Sequence, residues 1–328
     1  MINRRHFLYS ASLMALAAAL PDAVYGAEPA KGRLVSGTPP GAIGNQLADT
    51  ALNILAAQFN TEYRLDNIAA RNTLQASETV KLAPADGLTL LQTQASSMVL
   101  FPSLYQKLAY DPLADFTPLA LMGDYSFALM VGPAVPASVT SLEGYLAWVK
   151  DNPEFREVGF SIYGSQSHLI TMMLGRTLEV AIRPQSYKSV PSLLRDLQGQ
   201  TIAAAVTVAG TAAAAAATAG VRPLAVSGRA RLAGWPQVPT FEEVGVKDMQ
   251  DLRGWFGWFA PANLPADTAR QWRERLEAVQ ATAQYEALQK RLLLTQVSMP
   301  PEQIHERIRK EMNTYAGLVS SYDLSKIT

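Results

Sequence analysis

The sequence predicts an α/β protein with mostly parallel sheets, large enough for about two domains. Three observations predict it. Short apolar runs alternate with helix-length periodic segments along most of the chain. The length, 328 residues, exceeds what one ordinary domain needs. Hydrophobic residues make up 48% and charged residues 17%, a balance that packs a core and excludes disorder.

Residues 1–26 stand apart from the fold. They combine a basic start, an apolar middle from Leu13 to Leu20 and small residues near the end, the pattern of a secretory signal peptide. The apolar run is short for a spanning anchor. Arg4-Arg5 followed by His6-Phe7-Leu8 matches the twin-arginine pattern except that Asn3 stands where Ser or Thr is usual, so the export route stays open between two systems. Cleavage after Gly26 or Ala27 fits best, and the expected location is the periplasm. The 28 basic and 28 acidic residues lose Arg4, Arg5 and Asp22 with that segment, leaving 26 and 27, net −1. So balanced a chain gives no electrostatic reason to expect nucleic acid or an anionic membrane as partner. Cysteine is absent, which excludes disulfides, thiol catalysis and thiolate metal sites. No cofactor is implied.

The expected strands are Arg33–Ser36, Tyr63–Asn67, Thr89–Gln92, Phe116–Met122, Ala128–Val131, Val158–Phe160, Ala181–Tyr187, Ile202–Val208 and Pro223–Val226. The helices between them are Gln46–Phe59, Leu74–Leu82, Leu142–Asn152, His168–Thr177 and Val190–Gln198. Ile202 to Val221 carries no charge over a length that could cross a membrane, but Ala, Thr and Gly are weakly apolar and Gly210 interrupts it. A buried strand followed by an Ala-rich helix is expected. Near the C-terminus, Trp272, Leu276, Val279, Tyr285, Leu288 and Leu292 predict one helix over Thr268–Leu294. Pro300-Pro301 then opens another, with Ile304, Ile308, Met312 and Tyr315 at spacings of three and four.

Three turns suit an anion. Gly37 to Asp49, GTPPGAIGNQLAD, links a strand to a helix whose first amides lack backbone partners and lie at the positive end of its dipole. Asn45 adds a side-chain donor and acceptor. The glycines at 37, 41 and 44 do not have dinucleotide spacing. Tyr163 to Leu169, YGSQSHL, opens the second helix, where the hydroxyls of Ser165 or Ser167 could cap it or reach a ligand. Ser165 and His168 form a nucleophile–base pair only with a third, orienting group, and none is seen. Asn67 to Ala76 carries Arg71, a fork-shaped donor suited to a carboxylate, although exposed arginines are common. Open parallel sheets bind ligands at the carboxyl ends of their strands.

Four stretches carry a resemblance: GTPPGAIGN, LYQKLAYDPLADFTPL from Leu104 to Leu119, RPLAVSGRARLAGWPQVPTFEEVG from Arg222 to Gly245, and WFGWFAPANLP from Trp255 to Pro265. Gly164 to Leu169 and Tyr187-Lys188 also fit. In order, and over nearly the whole chain, these resemble the extracytoplasmic solute receptors of the tripartite tricarboxylate transporter type, the Bug family. The resemblance implies a type II periplasmic-binding-protein fold: two α/β domains around a cleft, with the chain crossing near Ala128–Gly132 and Gln250–Gly254. Residues 28–129 with 253–328 would form domain one and 130–252 domain two, with the C-terminal helices packing on domain one. It further implies that a small carboxylate is held by backbone amides and hydroxyls. The candidate ligand residues are Thr38, Pro40, Gly41, Ala42, Ile43 and Asn45 in the first loop, Arg71 and Asn72 in the second, Ser96 beyond the third strand, Tyr163, Gly164, Ser165, Ser167 and His168, and Tyr187. The implied partner is a membrane transporter, with a sensor protein as the alternative, and a monomer is the default for a receptor that opens and closes. An enzyme is not expected, since neither metal spacing nor a nucleophile elbow is seen.

The sequence departs from the family in the loops. Thr38 stands for an aromatic residue, Ala42 for the second glycine, Asn45 for an aspartate and Asp49 for an arginine. Ile68 to Thr73 lacks the family's glycines, and Tyr163 is bulky where small residues are common. Either Arg71 supplies by charge what those glycines supplied by backbone, or the ligand differs.

Overall fold

The computed structural model describes residues 30–71, 73–177, 181–217 and 220–327, so the signal-peptide expectation lies outside the described residues. In chain order the strands are β1 (Ala30–Ser36), β2 (Thr61–Asn67), β3 (Thr89–Gln94), β4 (Phe116–Val131), β5 (Glu157–Ser161), β6 (Arg183–Tyr187), β7 (Ala204–Val208), β8 (Arg222–Val226) and β9 (Arg253–Pro261). The helices are α1 (Ile43–Phe59), α2 (Leu74–Lys81), α3 (Phe101–Leu104), α4 (Leu142–Asp151), α5 (Gln166–Thr177), α6 (Val190–Gln198), α7 (Ala209–Ala216), α8 (Ala266–Gln280), α9 (Ala283–Arg291) and α10 (Pro301–Ser321). A π-helical turn, Ser96–Leu100, runs into α3.

The strands order as β2-β1-β3-β9-β4-β7-β5-β6, with β8 also on β4. In the first arm β1 runs parallel to β2 and β3, and β9 lies antiparallel between β3 and β4. In the second, β5 is parallel to β6 and β7, while β4 is antiparallel to β7 and β8. Parallel neighbours joined through helices bring their carboxyl ends, and the loops after them, to one edge. Ser36 is thus paired with Asn67, and Ser161 with Tyr187.

β4 joins the arms. Phe116 to Ser126 pairs with β9, and Phe127 to Val131 with β7 and β8. The sequence suggested two strands here, Phe116–Met122 and Ala128–Val131, and assigned Gly123 to Phe127 to neither. Asp124 is in fact 5% exposed. Arg307 of α10 holds both of its oxygens at 3.0 Å, and Arg253 lies 3.3 Å away. A partner far along the chain lets a charged residue stay inside a continuous strand.

β9, absent from the expected strands, is a run of aromatic and small residues buried throughout except at Arg253, so it shows no period-two signal. Trp255 and Trp258 are fully buried, and the Trp258 indole donates to Gln92 at 2.9 Å. The single helix expected over Thr268–Leu294 is two, α8 and α9. Thr282 interrupts it, its hydroxyl accepting the Tyr285 amide at 3.2 Å as an N-cap. Ile202–Val221 resolves as β7 and α7. Among the described residues no helix is long and apolar enough to cross a membrane.

α10 buries Ile304, Ile308, Tyr315 and Val319. It also does more than pack on the first arm. Gln166 of α5 donates to the Tyr315 hydroxyl at 2.8 Å, and Arg176 of α5 donates to the Ser321 carbonyl at 2.8 Å.

Candidate functional site

The β1–α1 loop is built by short polar links. Ser36 and Thr38 share a hydrogen bond between hydroxyls at 2.8 Å, and both are buried. Gly41 adopts φ +80°, in the left-handed region, and the Ala42 amide donates to the Pro39 carbonyl. Pro40 and Gly41 are exposed. α1 opens three residues earlier than its apolar period suggested, at Ile43, and no side chain caps it among the described residues. Its first amides therefore face the loop without an intrahelical partner, at the positive end of a 17-residue helix.

Asn45 lies inside this loop, buried. It donates to Asp49 at 2.7 Å and accepts from Asn67 at 2.5 Å. Asn67 also donates to the Thr38 carbonyl at 2.8 Å. It was read as a strand end and the start of the second loop with no role of its own, yet it ties the first two loops together, and its place beside Ser36 in the β1–β2 register is what brings it there. In the second loop Arg71 and Thr73 take φ of 49° and 73°. The Arg71 guanidinium pairs with Glu78, one turn into α2, and its side chain is 58% exposed. Thr73 meets Ser97 through their hydroxyls at 2.7 Å, next to buried Ser96. Asn72 lies outside the described residues.

The β5–α5 loop turns through Ile162 and Gly164, at φ 69° and 77°. A Cβ on Gly164 would lie 2.3 Å from Leu104 Cδ2, so the loop rests on the α3 end of the first arm. The Ser165 hydroxyl donates to the Ser161 carbonyl at 3.1 Å, meets the Ser167 hydroxyl at 2.8 Å and accepts the His168 amide at 3.3 Å. That last bond involves the His168 backbone, not its ring. Nδ1 of the ring accepts the Gly164 amide at 3.3 Å, and the ring stacks on Phe160 and Tyr163, each with centroids 4.5 Å apart. Burial pulls the imidazole pKa down from 6.5 to about 4, so it is neutral in the folded protein at neutral pH. The Tyr187 hydroxyl donates to Asp196 at 3.1 Å. Burial first, then that carboxylate, pushes its pKa up to about 12.

Of the residues expected to act together, the structure gathers Thr38 and Asn45 in one network and Ser165, Ser167 and His168 in another. Arg71 turns to Glu78 and Tyr187 to Asp196. The two arms meet at this edge. A Cβ on Gly210, in the first turn of α7, would lie 3.1 Å from Ile43 Cδ1 and 2.2 Å from the Leu292 carbonyl oxygen. Gly210 thus permits a close approach that any side chain would block.

Residues 45–323 match the family described as tripartite tricarboxylate transporter family receptor, TctC. The chain belongs to this family. Protein BugT of Bordetella pertussis is 27% identical over 285 residues, 86% of each chain. Two solved structures share the fold. R. palustris Rpa4515 with adipate superposes with a TM-score of 0.84 at 21% identity, covering 92% of this chain and all of that one. MatC (Rpa3494) from Rhodopseudomonas palustris with bound malate gives 0.78 at 21% identity, covering 88% and 98%. The expected periplasmic-binding-protein fold of the TctC receptors is therefore present, and the chain is a solute receptor by family.

Proposed function

We propose that this receptor is exported, captures a small organic carboxylate where its two arms meet, and delivers it to a tripartite tricarboxylate-type membrane transporter. The observation that carries the reading is the uncapped start of α1 behind Gly41 at the carboxyl end of β1, together with the paired Ser165 and Ser167 hydroxyls at the carboxyl end of β5, a strand of the other arm that runs opposite to β1. Amides and hydroxyls of this kind hold an anion without a full counter-charge. Adipate and malate in two proteins of the same fold support that ligand class. The lobes are residues 28–129 with 253–328 and residues 130–252, a division within three residues of the change of pairing at Ser126 and Phe127. The ligand contacts come from Thr38, Pro40 to Ile43 and Asn45 on one side and from Tyr163 to Ser165 and Ser167 on the other. Arg71 joins them on leaving Glu78. Binding is the activity proposed, in keeping with a family of solute receptors.

A thermal-shift screen of di- and tricarboxylates, acidic amino acids and their amides tests this. A ligand at about 100 times its dissociation constant adds about 2.7 kcal/mol. A carboxylate that raises the melting temperature while its amide does not is the expected result, and a flat panel would count against the proposal.

A further inference from the structure

Gln166 has no role so far, yet it sits between Ser165 and Ser167 and is 1% exposed. Its amide nitrogen leaves the loop altogether. It donates to the Tyr315 hydroxyl at 2.8 Å and to the Arg253 carbonyl at 3.2 Å. Tyr315, itself buried, donates to that same carbonyl at 3.3 Å. Arg253 is the first residue of β9, paired with Ser126, the last residue of β4 to pair with β9 before the strand passes to the other arm. The Arg253 side chain lies 3.3 Å from Asp124, which Arg307 holds from α10. Arg307 in turn holds Glu311 at 2.7 Å, and Glu311 accepts the Trp255 indole at 2.9 Å. One partly buried polar chain therefore runs from the β5–α5 loop, through α10, to both strands at the junction of the arms. A neutral amide spanning two acceptors in a dry site is directional and costly to leave unpaired, so it fixes position where an apolar side chain would only fill space.

We propose that Gln166 is the positioning residue of the β5–α5 loop: through Tyr315 and the Arg253 carbonyl it sets Ser165 and Ser167 against the strands that join the arms, and so couples ligand capture to arm position. The ligand half of this statement rests on the carboxylate reading above; the mechanical half does not.

Two variants of the whole chain keep volume: Gln166→Met removes both hydrogen bonds of the side chain, and Tyr315→Phe removes the one to the hydroxyl. Hydrogen exchange is followed by mass spectrometry, and malate and adipate are titrated by calorimetry. Each variant is expected to speed exchange at the hydrogen-bonded amides of Ile162, Ser165 and Leu169 by about tenfold, the equivalent of one lost hydrogen bond, with β1 and β3 unchanged. The double variant adds little to Gln166→Met, which already cuts both links from this side chain. Either acid, if bound by the parent protein, is held about tenfold more weakly by each variant. Unchanged loop exchange, or a rise spread evenly over the molecule, overturns the positioning role. A parent protein that binds neither acid counts against the ligand reading alone, and the exchange result still decides the mechanical one.

Discussion

His168 should make this protein lose stability as the pH falls from 6.5 toward 4. The ring is buried, stacked between Phe160 and Tyr163, and uses Nδ1 as an acceptor, a role that protonation would end. Its pKa falls from 6.5 to about 4 in the folded state. The unfolded chain therefore binds a proton near pH 6.5 that the folded chain refuses until near pH 4. The stability linked to this group is present above 6.5 and is lost as the pH falls toward 4. The whole interval is worth about 3 kcal/mol, of which about 2 kcal/mol is gone by pH 5. The assay is urea unfolding at pH 7.5, 6 and 5, comparing the parent with His168→Asn, which retains an acceptor near Nδ1 but does not titrate. The variant is offset at every pH by the lost stacking, and its decline between pH 7.5 and 5 should be shallower by about 2 kcal/mol. Parallel pH profiles would refute the assignment of a buried neutral imidazole.

Three further outcomes follow from the packing. Gly210→Ala places a methyl 2.2 Å from the Leu292 carbonyl and should cost about 1–3 kcal/mol of stability, read as a lower melting temperature. Asp124→Asn leaves Arg307 and Arg253 around a neutral side chain and should cost about 3–5 kcal/mol by chemical denaturation, far more than any exposed pair. Arg71→Ala should cost less than about 1 kcal/mol, because its pair with Glu78 is exposed, while reducing the thermal shift given by any carboxylate that binds.

Most of the fold was legible because local patterns carried it. α6 starts and ends where its sequence period does, and Ser189 caps it through its hydroxyl. The loops were legible as places but less so as contacts. Arg71 looked free because its partner, Glu78, lies on another element one helix turn away. Asn67 read as the end of a strand, since only the register with Ser36 shows that it bridges two loops. Gln166 gave no signal at all: a glutamine at a helix start is ordinary, and its partners lie 87 and 149 residues away. At Asp124 the expected strands left a gap where a remote arginine keeps one strand intact. In the loops, what sequence reading lost was polar contacts decided by neighbours, whereas β9 was lost to burial throughout.

The reach of α10 bears on when the molecule can fold. The buried carboxylate of Asp124 waits for Arg307, 183 residues later in synthesis. Until that helix has emerged, the carboxylate in the middle of β4 lacks its two-pronged partner and has only Arg253, at the start of β9, beside it. Contacts of such separation form late. A nascent chain would hold its N-terminal half in a loose, exchangeable condition until nearly the last residues are made. That interval would suit the export proposed above, because it leaves time for a carrier to engage the chain before the final helix closes over it.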